Sequence, residues 1–305
     1  MARGKKSSTA GNPSVTPLAV PGSARATAPL RELLRFHPGT PLNSLDPAGT
    51  PGFPGRGKND AAEITAVVGP VLSEWQERLF AEGRSEADAP RLLVVLQGLD
   101  TSGKGGVVRH VFGLVDPQGL HLASFKQPTP IEQSHHYLWR IRKALPGPGM
   151  IGVFDRSHYE DVLVVRVNQL VPAGIWQQRY DEINRFEAKL KDQGTTIIKC
   201  FLHIDKKEQG ERLLARVHDP TKYWKYSVND VAVRHQWQAY AEAYQEALDR
   251  CSTDHAPWFV IPSNRKWYRN WAVANLLLEH LEAMDPQWPP AHFDIDQEIE
   301  RIRTA

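Results

Sequence analysis

Cysteine is scarce in this chain: two residues in 305, Cys200 and Cys251, with no metal-type spacing between them. That scarcity excludes a disulfide framework and a thiolate metal cluster, and leaves two packing thiols suited to a reducing compartment. No apolar run approaches the length of a membrane span, which argues against a membrane-spanning helix. The opening MARGKKSSTAG is basic but leads into no hydrophobic segment, so it does not read as a secretory signal. An acid-poor start containing Arg and Ser also fits a transit peptide; the cytoplasm is the default expectation. A strong excess of one charge is missing as well. The formal net charge of +2 excludes a bulk polycation of the kind that coats nucleic acid. Within that balance, residues 1–60 hold 8 Lys and Arg against 3 Asp and Glu, which leaves 29 against 32 of the chain's 37 and 35. Any polyanion site in the remainder must therefore come from local clustering of cations.

What the chain does contain is an ordinary globular composition, 41% hydrophobic and 24% charged, enough for a buried core. Residues 1–57 are rich in Pro, Gly, Ser, Thr and Ala, show almost no apolar periodicity and are expected to be flexible. Only PLRELLRF, at 29–36, has the pattern of a docked helical turn or two, and removal of residues 1–50 is expected to leave the chemistry nearly unchanged. From Asp60 the texture changes. Asp60-Ala-Ala-Glu63 looks like a capping box opening an amphipathic helix to Phe80. Residues 58–285 then alternate strand-like and helix-like segments, and 286–305 read as a tail. Strands are expected near 92–97, 121–125, 150–154, 195–202 and 257–261. Helices are expected near 103–113, 131–144, 157–168, 173–192, 205–217, 228–250 and 267–284. Such alternation implies an α/β fold, a parallel five-stranded sheet with helices on both faces.

The first expected strand runs into GLDTSGKGG, residues 98–106. Gly98, four residues, then Gly103 and Lys104 match the spacing of a Walker A loop. In such a loop the backbone amides of Gly98, Thr101, Ser102, Gly103, Gly105 and Gly106 cradle phosphate oxygens, and Lys104 sits on them as a point charge. The hydroxyl that normally follows the lysine and binds metal is replaced by Gly105. Asp100, inside the loop, is then the candidate metal ligand, because Mg²⁺ prefers hard carboxylate oxygen.

A second acid follows at the end of MIGVF, where Asp155-Arg156-Ser157 has the Walker B arrangement at a strand's carboxyl edge. Asp155 is placed beside Asp100 around a metal or the attacking group, and Arg156 on the transferring phosphoryl charge. An N-capping Asp beside a surface Arg is the plainer alternative. Downstream, Asp219-Pro220 breaks a helix, Ser227 to Asp230 resembles a capping box, and Lys222, Lys225 and Arg234 punctuate the stretch between 215 and 250. A helical lid with cations at its tip is the expectation, closing over phosphates and excluding water. Arg109, Lys126, Arg140, Arg142 and Lys143 are further candidates for an anionic channel. His135 and His136 have no partner at metal spacing and read as helix-surface or groove residues.

Taken together, GLDTSGKGG, SFKQPTP, FDRSHYEDVLVVRV, DPTKYWK and HAPWFVIPSNRKWYRNWAV resemble the family-2 polyphosphate kinases, over residues 50–282. The resemblance implies a P-loop kinase-type three-layer fold with a helical lid, and in-line transfer between inorganic polyphosphate and a nucleotide without a covalent intermediate. It implies Mg²⁺, with Mn²⁺ as the alternative ion, adenine or guanine nucleotides as partners, and a homo-oligomer. Carried over, Asp100 and Lys104 match the Walker A acid and lysine, and Asp155 and Arg156 the Walker B pair. Lys222, Lys225 and Arg234 fall in the lid, and Arg166 lies in the matching SHYEDVLVVRV stretch. SFKQPTP and SHYEDVLVVRV are most similar to the subgroup that phosphorylates both mono- and diphosphates. Many relatives there have Asp where this chain has Gly105, and Asn where it has Asp155, which bears on the choice between AMP and ADP. Three rivals stand beside this reading. An ATP-dependent small-molecule kinase would need a hydroxyl acceptor, a non-catalytic binding protein would not need its acids, and an RNA-binding protein would need an RNA motif, which is lacking.

Overall fold

The computed structural model describes residues 16–305. Five apolar runs become five parallel strands: β1 (Arg91–Gln97), β2 (Leu120–Ser124), β3 (Ile151–Asp155), β4 (Thr195–His203) and β5 (Trp258–Pro262). Their order is β2-β3-β1-β4-β5, so the phosphate-loop strand is central. Register sets Leu96 of β1 beside Asp155 of β3, and Ser124 of β2 beside the same aspartate. Three strand ends thus meet at one carboxyl edge, where open α/β sheets bind their ligands.

Strand alternation divides the core. Leu92, Val94 and Leu96 face one apolar cluster, Leu93 and Val95 the other. Helices longer than a single turn are α1 (Lys58–Ser85), α2 (Lys104–His110), α3 (Leu138–Lys143), α4 (Ala173–Asp192), α5 (Lys206–Val217), α6 (Asn229–His235), α7 (Trp237–Cys251), α8 (Lys266–Met284) and α9 (Ile295–Thr304). Residues of α1, α2 and α8 fill the first cluster; residues of α3, α4 and α7 fill the second. The result is the three-layer P-loop kinase-type fold. Among the described residues no helix is long and apolar enough to cross a membrane.

Several boundaries depart from expectation, each for a local reason. Asp60 is not an N-cap: α1 starts at Lys58, and the Asp60 carboxylate accepts the Arg56 amide at 2.7 Å from within the first turn. The stretch 157–168 is not one helix, because Tyr159, Val162 and Leu163 turn into the core as two short pieces, His158–Asp161 and Val164–Val167. The 131–144 helix is likewise split into Pro130–Gln133, closed by a Thr129/Glu132 capping box, and α3. Gln236 interrupts 228–250, its amide shared between the Ala232 and Val233 carbonyls in a tightened turn.

The largest departure is at the N-terminus. Residues 1–15 lie outside the described residues, but 16–57 are not free. Leu30 and Leu34 join one apolar cluster and Phe36 and Leu42 the other, so the segment wraps around the edge strand from layer to layer. The Phe36 amide donates to the Trp258 carbonyl and the Val260 amide to the Leu34 carbonyl, both at 2.8 Å, covering the edge of β5. A few large apolar residues and ladder bonds to the sheet edge offset the entropy that composition alone would leave unopposed.

Beneath the 158–161 turn lies a buried ionic cluster. Lys199 Nζ donates to Glu187 Oε2 (2.6 Å), the Cys251 carbonyl (2.7 Å) and Tyr159 Oη (2.8 Å). The Tyr159 hydroxyl donates to Glu187 Oε1 at 2.9 Å, and His158 Nε2 stands 3.1 Å from the same oxygen. Burial pushes the Glu187 carboxyl up, but the Lys199 charge and the His158 hydrogen bond outweigh it and hold it below its ordinary value. The carboxylate's contribution is therefore present at neutral pH and is lost as pH falls through that depressed value. Lys199→Met leaves Glu187 as an uncompensated buried charge and is expected to destabilise the chain by about 3 kcal/mol or more. Urea unfolding at pH 7 checks this; a loss below about 1 kcal/mol would place the pair among replaceable contacts.

Candidate active site

Beyond Gln97 the chain reverses sharply. Gly98 (φ 146°), Thr101 (φ 68°) and Gly103 (φ 110°) all adopt positive φ, which folds residues 98–103 into a compact loop. Gly98 also has no room for a side chain, since a Cβ there would meet the Leu202 carbonyl at 2.8 Å. The amides of Gly103, Lys104 and Gly105 donate to no acceptor among the described residues. Thr101 Oγ1 and Ser102 Oγ are buried and equally unpartnered. Lys104 Nζ curls over the loop onto the Gly98 carbonyl at 2.6 Å. Burial pushes its pKa down, Asp100 pulls it back up and Arg156 adds to the depression.

Two buried arginines hold the back of this loop. Arg212 of α5 donates through Nη1 to the carbonyls of Thr101 (2.8 Å) and Ser102 (3.2 Å), and through Nη2 to those of Ser263 (2.5 Å) and Asn264 (3.0 Å). Arg269 of α8 donates to the Ser102 carbonyl at 3.2 Å. Its guanidinium fills the space a Cβ would need at Gly103, and a Cβ at Gly106 would meet Nη2 at 2.6 Å. Burial, with the neighbouring charge of Arg212, pushes Arg269 down to about 10.

Across the loop, Asp155 ends β3 and Arg156 turns back with φ 66°, its amide on the Leu96 carbonyl at 3.1 Å. Arg156 Nη2 donates to Asp100 Oδ1 at 2.9 Å. Burial raises the Asp100 carboxyl, but Lys104, Arg156 and the field of Arg216 together bring it below its ordinary value. The charges of Asp100 and Asp155 both act to raise the Lys104 pKa against its burial. Among the described residues no three His, Cys, Asp or Glu side chains gather into a cation cage. Two hard carboxylates still fit Mg²⁺ or Mn²⁺, which take one or two protein carboxylates and complete their shell with water and phosphate.

The outlying candidates separate into two groups. Arg109 and Lys126 are exposed, and among the described residues neither side chain has a hydrogen-bond or ion-pair partner. Lys222 and Lys225 are exposed on the 220–225 turn, the first paired with Asp219 at 2.5 Å and the second over the Trp224 ring at 4.8 Å. Arg166 is committed elsewhere, to Glu246 at 2.6 Å and the face of Trp176 at 4.8 Å. Arg234 is also engaged, donating to the Lys206 carbonyl at 2.5 Å and to Gln209 Oε1 at 3.1 Å. Arg140 is buried and holds the Lys126 carbonyl at 2.8 Å, while His135 stacks on Trp139 at 4.2 Å.

Sequence reasoning did not anticipate Arg212, Arg269, Arg216 or Glu160. Glu160 stands in the field of Arg156 and Lys104, its carboxyl raised by burial against their pull. Its place three residues after Ser157, in the same turn, was the available signal; nothing in an ordinary amphipathic helix marked Arg212.

A central strand, a positive-φ glycine loop with its lysine, and an acid at the neighbouring strand end make this a P-loop kinase-type phosphotransferase fold and site. The sequence model of the Polyphosphate kinase 2 family matches residues 58–289. An AMP/ADP-polyphosphate phosphotransferase of Meiothermus ruber is 48% identical over 248 residues, covering 81% of this chain and 91% of that one. An ADP-polyphosphate phosphotransferase of Rhodopseudomonas palustris is 38% identical over 230 residues, covering 72% and 78% respectively. A crystal structure of Polyphosphate Kinase 2 from Arthrobacter aurescens TC1 superposes with a TM-score of 0.89 at 45% identity, covering 95% of this chain and all of that one. The chain belongs to the polyphosphate kinase 2 family.

The two glycines flanking Lys104 differ in kind. At Gly105 an added Cβ meets nothing within 4 Å. Gly105→Ala is therefore expected to stabilise the chain by about 0.5 kcal/mol with turnover intact. Gly103→Ala meets both a left-handed backbone and Arg269. It should lower turnover by about 100-fold or more in folded protein. Melting curves and initial rates on the pair check this, and equal behaviour of the two variants would contradict the packing described.

Proposed function

We propose that this chain transfers phosphoryl groups between inorganic polyphosphate and the nucleotides AMP and ADP, reversibly and in line. Membership of the family and the substrates named for its relatives support the reading. The observation that carries it is the loop whose unpartnered amides and buried Lys104 face two acids and Arg156. Polyphosphate has a charge on every unit and no ring to grip, so cationic recognition is the only kind it offers.

Each residue then has a physical task. The free amides of Gly103, Lys104 and Gly105 hold phosphate oxygens and Lys104 rides on them, while the Ser102 and Gly106 amides stay bonded to the Leu99 and Gly103 carbonyls within the loop. Asp100 and Asp155 would hold a divalent ion, Mg²⁺ or Mn²⁺, which would supply neutralisation of phosphate charge. Asp100 keeps Arg156 oriented through their 2.9 Å hydrogen bond, so the guanidinium is set before the transferring charge develops. The exposed 220–225 turn, with Lys222 and Lys225, closes over the phosphates and excludes water, and Arg234 braces the helix behind it.

The direct experiment supplies long-chain polyphosphate and Mg²⁺ with AMP or ADP separately and follows products by chromatography. ADP and then ATP from AMP is the expected outcome; transfer to neither nucleotide, from metal-loaded folded protein, sinks the reading in favour of an ATP-dependent kinase. Lys104→Ala and Asp155→Ala should each lower kcat by about 1000-fold. Added salt should weaken polyphosphate binding steeply.

A further inference from the structure

Residues 45–53 run past the turn that follows β5 and touch it repeatedly. The Asn264 amide donates to the Pro47 carbonyl at 3.0 Å, and Arg265 Nε to the Ala48 carbonyl at 2.8 Å. One helical turn further on, the Tyr268 hydroxyl donates to the Pro51 carbonyl at 2.8 Å. Phe53 then seats its ring against Trp267 and Trp271, with centroids at 4.9 and 5.0 Å.

The far side of the same turn is where Arg212 is anchored. Its Nη2 takes the Ser263 and Asn264 carbonyls while its Nη1 takes those of Thr101 and Ser102. One planar guanidinium therefore spans the turn and the loop. Its donors are fixed in a rigid fork, so a shift of the 263–265 turn cannot be absorbed without losing one pair of carbonyls or dragging the loop. Arg269 lies on α8 between Tyr268 and the loop and couples the same two sides through the Ser102 carbonyl.

We propose that residues 45–53 are a positioning element for the phosphate loop, acting through the 263–265 turn and the two buried arginines. This rests on the reading of the Lys104 loop as the phosphate site. It reverses the expectation that the chain before residue 50 is dispensable for the chemistry. The outer part of the same segment serves as a control. Arg25 holds Glu282 at 2.9 Å, on the opposite end of α8 from the loop, and touches neither the turn nor the arginines.

The test compares full-length Phe53→Ala and Tyr268→Phe with Arg25→Ala, measuring thermal midpoint, kcat and KM for polyphosphate at a temperature where all are folded. The two inner variants are expected to lose about tenfold or more in kcat/KM. Arg25→Ala should keep the wild-type value despite a lowered midpoint, and Phe53→Tyr should restore most of the loss. Activity that tracks only the folded fraction, or an equal loss in Arg25→Ala, would reduce the segment to a structural cover and overturn the proposal. Retention of activity in Lys104→Ala would instead remove the phosphate-site reading beneath it, whatever the two inner variants do.

Discussion

A peptide plane that points its N–H into an anion site must point its C=O the other way. The phosphate loop therefore needs donors behind it as much as it needs anions in front, and here Arg212 and Arg269 supply them. Much else follows from that arrangement. Gly103 and Gly106 are glycine because the Arg269 guanidinium occupies their side-chain space. Two like charges are buried side by side, which their carbonyl acceptors and Glu208, at 2.7 Å from Arg212, make tolerable. The same charges leave a positive field behind a loop built to receive phosphate.

The other side of the site is held from beneath. Asp155 and Arg156 end a strand, and the turn after them is fixed by Tyr159 and His158, which reach into the Lys199–Glu187 cluster. Parallel register does the rest, since Leu96 and Asp155 are cross-strand neighbours and the loop begins two residues later. The Asp100–Arg156 hydrogen bond closes the gap between two separately supported turns. Rigid framing of this kind suits a reaction in which the protein aligns two phosphate chains and neutralises charge.

The sheet was legible because buried parallel strands read as continuous apolar runs between turn signals. RLLVVLQ, MIGVF and the run 195–202 appear in the structure within a residue or two of their expected bounds. Loop spacing singled out Lys104 and Asp100, and the apolar run MIGVF placed Asp155 at the carboxyl end of a strand, where the structure has it. Arg212 was not legible, because its partners are main-chain carbonyls 51 and 110 residues away, which leave no local pattern. The order of residues 16–57 escaped for a related reason. Their Pro- and Gly-rich composition suggests disorder, whereas their order comes from a few anchors such as Leu30, Phe36 and Phe53 on distant elements. Partners of Arg166 and Arg234 were equally hidden: the fold pairs these two cations with Glu246 and Gln209, 80 and 25 residues away.

The most direct measurement is turnover from polyphosphate in Arg269→Met, beside its urea unfolding midpoint. Methionine keeps the apolar packing but removes the Arg269 donor to the Ser102 carbonyl, leaving that of Arg212 in place. If the buried guanidinium sets the loop, kcat/KM falls by about 100-fold while a cooperative fold is retained. A folded Arg269→Met protein with turnover close to wild type would contradict the account, because the phosphate loop would then hold its geometry on Arg212 alone.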